Sequence, residues 1–218
     1  MLGNKHTFWQ ALIVALLIFW SGILLGIMFE QSRADKLKNF YYGSETEIFD
    51  MRVQQELLRI SNVSCAFVAE QSILSADRIY EEARQLEKYD AASKVSEDVR
   101  RLHKRYDLLR VMLWAALQEH QLRCKEDFNV VVYLYQYDKP SVERQAQQLT
   151  MSKVLLDLKK KHGDSVILIP IAYDSDIRSL EVLREIHGIK EVPAVVINER
   201  YQIHELQSME ELEKYLYR

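Results

Sequence analysis

The sequence is poor in the residues that build metal centres, disulfide scaffolds and phosphate-binding loops. Its 218 residues include two cysteines, six histidines and six glycines. Two cysteines are too few for a disulfide scaffold or a four-ligand zinc site, and the histidines stand singly, without an H-x-x-x-H pair. Neither a G-x-G-x-x-G nor a P-loop motif occurs. We therefore expect no metal and no other cofactor.

Charge of either sign is never gathered into a long run. The formal net charge is −3, from 29 basic and 32 acidic residues that are scattered along the chain. A nucleic-acid interface needs a basic surface that follows the phosphates. We therefore expect no nucleic-acid partner.

One uncharged apolar segment lies near the N-terminus. Phe8 to Phe29 has 22 residues without a charge, between Lys5 and Glu30. As a helix it spans roughly 33 Å, close to the hydrocarbon thickness of a bilayer. It is longer than the apolar region of a signal peptide, and no small-x-small cleavage site follows it. The pattern predicts a retained signal-anchor in contact with membrane lipid, and therefore a single-pass membrane protein.

Within this segment, Gly22 and Gly26 form a G-x-x-x-G motif. Such a motif lets two membrane helices approach closely. A homo-oligomer formed through this contact is one alternative for the protein.

The stretch from about Ser44 to Lys125 contains no proline and no glycine, which allows long helices. Its apolar spacing indicates two helices on either side of a turn near residues 90–93. Cys65 begins the first helix and Cys124 ends the second, and their midpoint, between Lys94 and Val95, lies beside that turn. Residues so placed face one another in an antiparallel hairpin. The register predicts a Cys65–Cys124 disulfide, and two buried free thiols are the alternative.

Two sequence signals bear on the membrane orientation, and they disagree. Arg33, Lys36 and Lys38 follow the apolar segment and favour a cytoplasmic domain by the positive-inside rule. A disulfide, in contrast, forms in an oxidising compartment. The sequon at Asn62 is common by chance and adds little. We expect the soluble part to be extracytoplasmic.

The residue pattern changes at about residue 127. Runs rich in β-branched residues alternate from there with helical spacing, in the order β-α-β-α-β-β-α. The predicted strands are 128–135, 165–172, 193–198 and 201–204, and the predicted helices are 141–162, 176–187 and 208–217. The fold class is mixed α+β and α/β, and the predicted regions are an anchor (1–30), a helical hairpin (31–126) and a C-terminal domain (127–218).

This C-terminal region resembles the thioredoxin fold. The resemblance rests on the segment 192–197 (VPAVVI) and on a strand, 130–135, that leads through a turn into a long helix. It implies a cis-proline loop at Val192 and Pro193. The whole arrangement is also similar to uncharacterised membrane-anchored thioredoxin-like proteins of archaea.

Redox-active thioredoxins carry C-x-x-C in the turn before that helix. Lys139, Pro140, Ser141 and Val142 stand there in this sequence, and none of them can form a thiolate. The resemblance therefore implies the fold without the redox chemistry. Ser141 has no nearby histidine and no nucleophile elbow, so we interpret it as a helix cap.

The sequence thus predicts a non-enzymatic binding or scaffold protein whose head takes a peptide or another protein. The predicted groove is bordered by Tyr137, Asp138, the degenerate turn and the cis-proline loop. An aromatic surface from Tyr133, Tyr135 and Tyr137, which alternate along one strand, is a related hypothesis. Two alternatives stay open: a thiol–disulfide oxidoreductase that uses Cys65 and Cys124, and a structural subunit of a membrane assembly.

Overall fold

A computed structural model of the protein describes residues 3–60, 63–90, 97–123 and 128–216. The chain divides into two compact units, Met1–Glu47 and Ile48–Arg218. The predicted boundaries at residues 30 and 126 each fall inside one of these units. The helical region after residue 47 therefore belongs to the same unit as the C-terminal domain.

The first unit consists of the N-terminal part of helix α1, which spans Gly3–Ile60. Within it, the 25 residues Phe8–Ser32 have a mean hydropathy of 2.7 and are not buried. Their length and composition are sufficient to cross a membrane, which confirms the predicted apolar helix. A Cβ atom added at Gly22 or Gly26 would meet nothing within 4 Å. The contact between two such helices stays a prediction.

Two long helices follow in the second unit, α2 (Cys65–Asp90) and α3 (Glu97–Arg123), and they pack against each other. Ser64 begins α2, since its hydroxyl accepts a hydrogen bond from the Phe67 N–H at 3.3 Å. The predicted turn near residues 90–93 lies largely outside the described residues.

A four-stranded mixed sheet forms the centre of the second unit. Its strands are β1 (Asn129–Tyr135), β2 (Val166–Ala172), β3 (Ala194–Ile197) and β4 (Tyr201–Ile203), in the spatial order β2-β1-β3-β4. β1 and β2 are parallel, whereas β3 is antiparallel to both β1 and β4. The accompanying helices are α4 (Val142–His162), α5 (Arg178–His187) and α6 (Met209–Glu213). The predicted order of elements is confirmed.

Alternation along the strands gives the sheet two apolar faces. One face packs against α4 and α6, in a core that contains Tyr133, Leu155 and Leu212. Contacts of α2 and α3 with β2, and of α3 with α5, cover the edge of the sheet at β2. The strands are therefore buried almost throughout, as their continuous apolar runs predict.

Local signals set the helix boundaries. The Ser141 hydroxyl accepts a hydrogen bond from the Arg144 N–H and so caps α4, as predicted. Ser208 and Glu211 form a capping box at the start of α6. Gly188 ends α5 at φ +66°, a left-handed conformation that glycine adopts without steric cost.

Candidate functional site

A cleft of about 410 Å³ opens beside β2, between α4 on one side and α2 and α3 on the other. Its defining residues are Tyr80, Tyr133, Tyr135 and Tyr137, and we call it the tyrosine cleft. Tyr80 comes from α2, and the other three come from β1 and its exit. Clefts of this size at the carboxyl ends of parallel strands are common binding sites in α/β proteins.

The aromatic rings of the tyrosine cleft are held by stacking. The Tyr133 and Tyr135 rings stack with centroids 5.7 Å apart, and the rings of His103 and Tyr137 lie 4.3 Å apart. Burial raises the pKa of the Tyr133 phenol, and the neighbouring Tyr135 adds to this shift. The Tyr133 hydroxyl donates to the backbone carbonyl of Gln148 at 3.0 Å. The tyrosine cleft is therefore a pre-formed aromatic surface in which the Tyr133 hydroxyl is neutral and hydrogen-bonded.

Glutamines from α4 and from the exit of β1 complete one wall. Gln148 is buried, and its side chain bonds the backbone of Gln136 twice, through the Gln136 N–H at 2.8 Å and the Gln136 carbonyl at 3.0 Å. Gln145 and Leu149 also line the cleft and are exposed. The wall near β1 is thus rigid, whereas the rim on α4 is accessible.

Arg110 brings a buried positive charge to the cleft. Its guanidinium bonds the Asp107 carboxylate at 3.2 Å, and the two side chains are 9% and 1% exposed. Burial raises the pKa of Asp107 from 3.8 to about 6, more than Arg110 lowers it. Asp107 also accepts the Ala172 N–H at 3.2 Å, which ties α3 to the end of β2.

The hydrogen bond from the Ala172 N–H to Asp107 shows how the outer edge of β2 is closed. The Tyr173 N–H donates to Tyr135 on β1 at 2.7 Å, so the Ala172 N–H points the other way, out of the sheet. The backbone nitrogen of Pro170 faces outward as well, because the direction of the backbone N–H alternates along a strand. Proline, however, has no N–H to donate. This half of the edge therefore offers little to an added strand, and a ligand in the cleft meets side chains instead.

The predicted turn residues lie at the mouth of the cleft but serve different purposes. Tyr137 and Pro140 line it. Asp138 is exposed and pairs with Arg100 of α3 at 3.2 Å. Lys139 is exposed at φ +46°, and Val142 is 85% exposed. Only part of the degenerate turn thus faces a ligand.

A carboxylate from the next loop holds the backbone of this turn. Asp174 accepts the N–H groups of Tyr137 and Asp138 at 2.8 and 2.7 Å. Two charge-assisted bonds to consecutive amides fix the direction in which the chain leaves β1. The Tyr137 ring is therefore positioned by both Asp174 and His103.

The Val192–Pro193 peptide bond is cis, and both residues are buried. Ala194 pairs with Leu134, which places Pro193 beside the end of β1. Neither Val192 nor Pro193 lines the tyrosine cleft. The structure thus brings Tyr133, Tyr135, Tyr137 and Pro140 together at one cavity and leaves this loop beneath the surface.

The cysteines lie apart from the cleft. Cys65 is the first residue of α2 and is half-buried, whereas Cys124 lies outside the described residues, as does Asn62. The pairing of the cysteines therefore stays a prediction. Within the described part of the chain, no group of three or more His, Cys, Asp or Glu side chains could hold a metal ion.

A second polar cluster lies where α3 meets α5 and the β3–β4 turn. Glu199 accepts the Trp114 indole N–H at 2.7 Å and the Gln118 amide at 2.8 Å, and lies 2.9 Å from His187. The His187 ring stacks on Trp114, which is fully buried. With these polar groups paired to one another, this cluster fastens α3 to the sheet.

The sequence predictions did not include Tyr80, His103, Asp107 or Arg110. Each fits an ordinary helical pattern, and no local signal marks any of them. Tyr80, His103 and Arg110 reach the cleft only because α2 and α3 pack along the edge of β2, and Asp107 pairs with Arg110. No family model matches the sequence, and no curated protein matches it.

Proposed function

We propose that this protein is a membrane-anchored binding protein whose thioredoxin-like head, without a redox pair, holds a peptide segment of a partner protein. The observation that carries the proposal is the tyrosine cleft, a pre-formed aromatic cavity of about 410 Å³ at the end of β1. Cavities of this size that combine apolar walls with a few placed polar groups are typical of binding sites.

The thioredoxin-like assignment has support in the sheet. A parallel pair, β1 and β2, is joined by α4, and β3 and β4 follow as an antiparallel pair before α6. Pro193 directly precedes β3, where the resemblance places the thioredoxin proline. Lys139, Pro140, Ser141 and Val142 occupy the turn before α4, so the proposed activity is binding and not thiol exchange.

Two observations support the proposed location of the protein at a membrane. Phe8–Ser32 is long and apolar enough to act as the anchor. No cysteine is free within the described residues, which agrees with a Cys65–Cys124 disulfide and an extracytoplasmic head. An anchored head of this kind would keep a partner close to the membrane surface.

The test uses the full chain in lipid nanodiscs and a phage library of random heptapeptides. Enriched peptides are then measured by fluorescence polarisation against the wild type and two variants. Leu149→Glu places a carboxylate among the apolar residues that line the cleft. Ile186→Glu places the same charge on α5, outside the lining, and is the control; Leu149 and Ile186 are both 66% exposed, so neither change disturbs a core.

We expect the enriched peptides to lose at least about tenfold in affinity with Leu149→Glu and to bind Ile186→Glu like the wild type. Enrichment no greater than on empty nanodiscs would end the proposal. Equal binding to both variants would place the peptide site away from the tyrosine cleft.

A further inference from the structure

The tyrosine cleft has a charge pattern that differs from the rest of the protein. The chain as a whole is acidic, with 32 acidic against 29 basic residues. Among the described residues that line the cleft, in contrast, none is acidic, and the ionisable groups besides the tyrosines are His103 and Arg110. A cavity lined by a guanidinium and an imidazole, and by no carboxylate of the described residues, is complementary to an anionic group.

The carboxylate of Asp107 is paired with Arg110 and is not presented to the cavity. Asp107 is 1% exposed and does not line the cleft, and its Oδ1 atom accepts from both the Ala172 N–H and the Arg110 guanidinium. Asp174 points to the backbone of Tyr137 and Asp138, and Asp138 is directed to Arg100. The acidic groups around the cleft are therefore turned to other partners, and a ligand carboxylate would meet Arg110 and His103 first.

The remaining walls specify the other half of the ligand. Leu149, Leu156 and Leu168 lie alongside the tyrosines, and Pro140 and Pro170 add flat apolar surface. Tyrosine and proline surfaces favour aromatic or aliphatic side chains, and the exposed glutamine at position 145 adds an amide at the rim.

We propose that the segment held in the tyrosine cleft is acidic: an apolar or aromatic peptide that carries a carboxylate side chain toward Arg110 and His103. This inference rests on the proposed function and specifies the partner's chemistry. Because Pro170 has no N–H and the outward Ala172 N–H is already bonded to Asp107, the affinity comes from side chains and not from strand addition.

The test uses three pools of fluorescein-labelled heptapeptides with the full chain in nanodiscs. The central residue is Glu, Gln or Lys, and the other six positions are randomised over Phe, Leu, Tyr, Val and Pro. We expect the Glu pool to bind about three- to tenfold more tightly than the Gln pool at low salt, and the Lys pool to bind most weakly.

Two matched variants locate the charge preference. Gln145→Glu adds a negative charge at the exposed rim of the cleft, whereas Gln147→Glu adds the same charge two residues along α4, outside the lining. We expect Gln145→Glu to remove the preference for the Glu pool, Gln145→Lys to increase it, and Gln147→Glu to leave it unchanged.

Each other outcome has a definite meaning. Equal binding of the three pools, or tightest binding of the Lys pool, would overturn the acidic preference while the peptide-binding function stands. Competition by 3-phenylpropionate at peptide-like concentrations would show a small-carboxylate site and overturn the peptide proposal. If no pool binds and no phage peptide is enriched, the proposed function itself fails.

Discussion

The contribution of Asp107 to the folding stability of the head should fall as the pH rises. Burial raises the pKa of its carboxyl from 3.8 to about 6 in the folded protein, even though Arg110 lies 3.2 Å away. Between these two values the folded state binds more protons than the unfolded state. Stability from this group is therefore full below pH 3.8 and is lost as the pH rises through about 6.

The magnitude follows from the shift of about 2 pKa units. At about 1.4 kcal/mol for each unit, ionising Asp107 costs the fold about 3 kcal/mol at neutral pH. Asp107→Asn removes this titration. Its new amide N–H group would take the place of the Oδ2 atom, which has no hydrogen-bond partner, and this adds a constant penalty. The pH dependence of the difference between the two proteins is therefore the diagnostic quantity.

The assay is urea unfolding of the full chain in nanodiscs, followed by the fluorescence of buried Trp114 after Trp9 and Trp20 are replaced by Phe. We expect the wild type to lose stability relative to Asp107→Asn as the pH rises. The free energy of unfolding of the variant, minus that of the wild type, should increase by about 3 kcal/mol from pH 3.5 to pH 7. Asp157→Asn, a half-exposed surface change, is the control. Parallel curves for the two proteins would refute a buried carboxyl with a raised pKa.

Two further predictions concern how α2 and α3 are held. Peptide mapping of protein taken from its membrane after rapid thiol quenching should recover a Cys65–Cys124 bridge, and two alkylated thiols would contradict the bridge. Cys124→Ser should lower the free energy of unfolding by about 2–4 kcal/mol. Glu199→Gln should cost about 1–2 kcal/mol, because the amide cannot accept from both Trp114 and Gln118. Exposed Glu205→Gln is its control, and equal urea midpoints would show that the cluster contributes nothing.

Several features could be predicted from the sequence because their cause is local. The uncharged run from Phe8, the capping serines at 141 and 208, and the β-branched strand runs each act within a few residues. The order of helices and strands was accessible for the same reason. The three tyrosines on β1 and its exit were also predictable as a shared surface, since alternate residues of a strand lie on one side.

The cleft itself could not be predicted, because half of it comes from another part of the chain. Tyr80, His103 and Arg110 lie on α2 and α3, and nothing in those helices marks which residues will face β2. The sequence suggested instead a groove beside Pro193, and Pro193 itself is buried in the fold.

What the sequence by itself determined is the apolar N-terminal helix, the element order and the absence of a C-x-x-C pair, because each depends on residue type and short-range spacing. Only the tertiary structure decided where a ligand could bind and how charged its surroundings are. The physical reason lies in Asp107 and Arg110: their pairing, burial and contact with Ala172 exist only after α3 packs along the sheet edge. Until then they are two charges in a helical pattern.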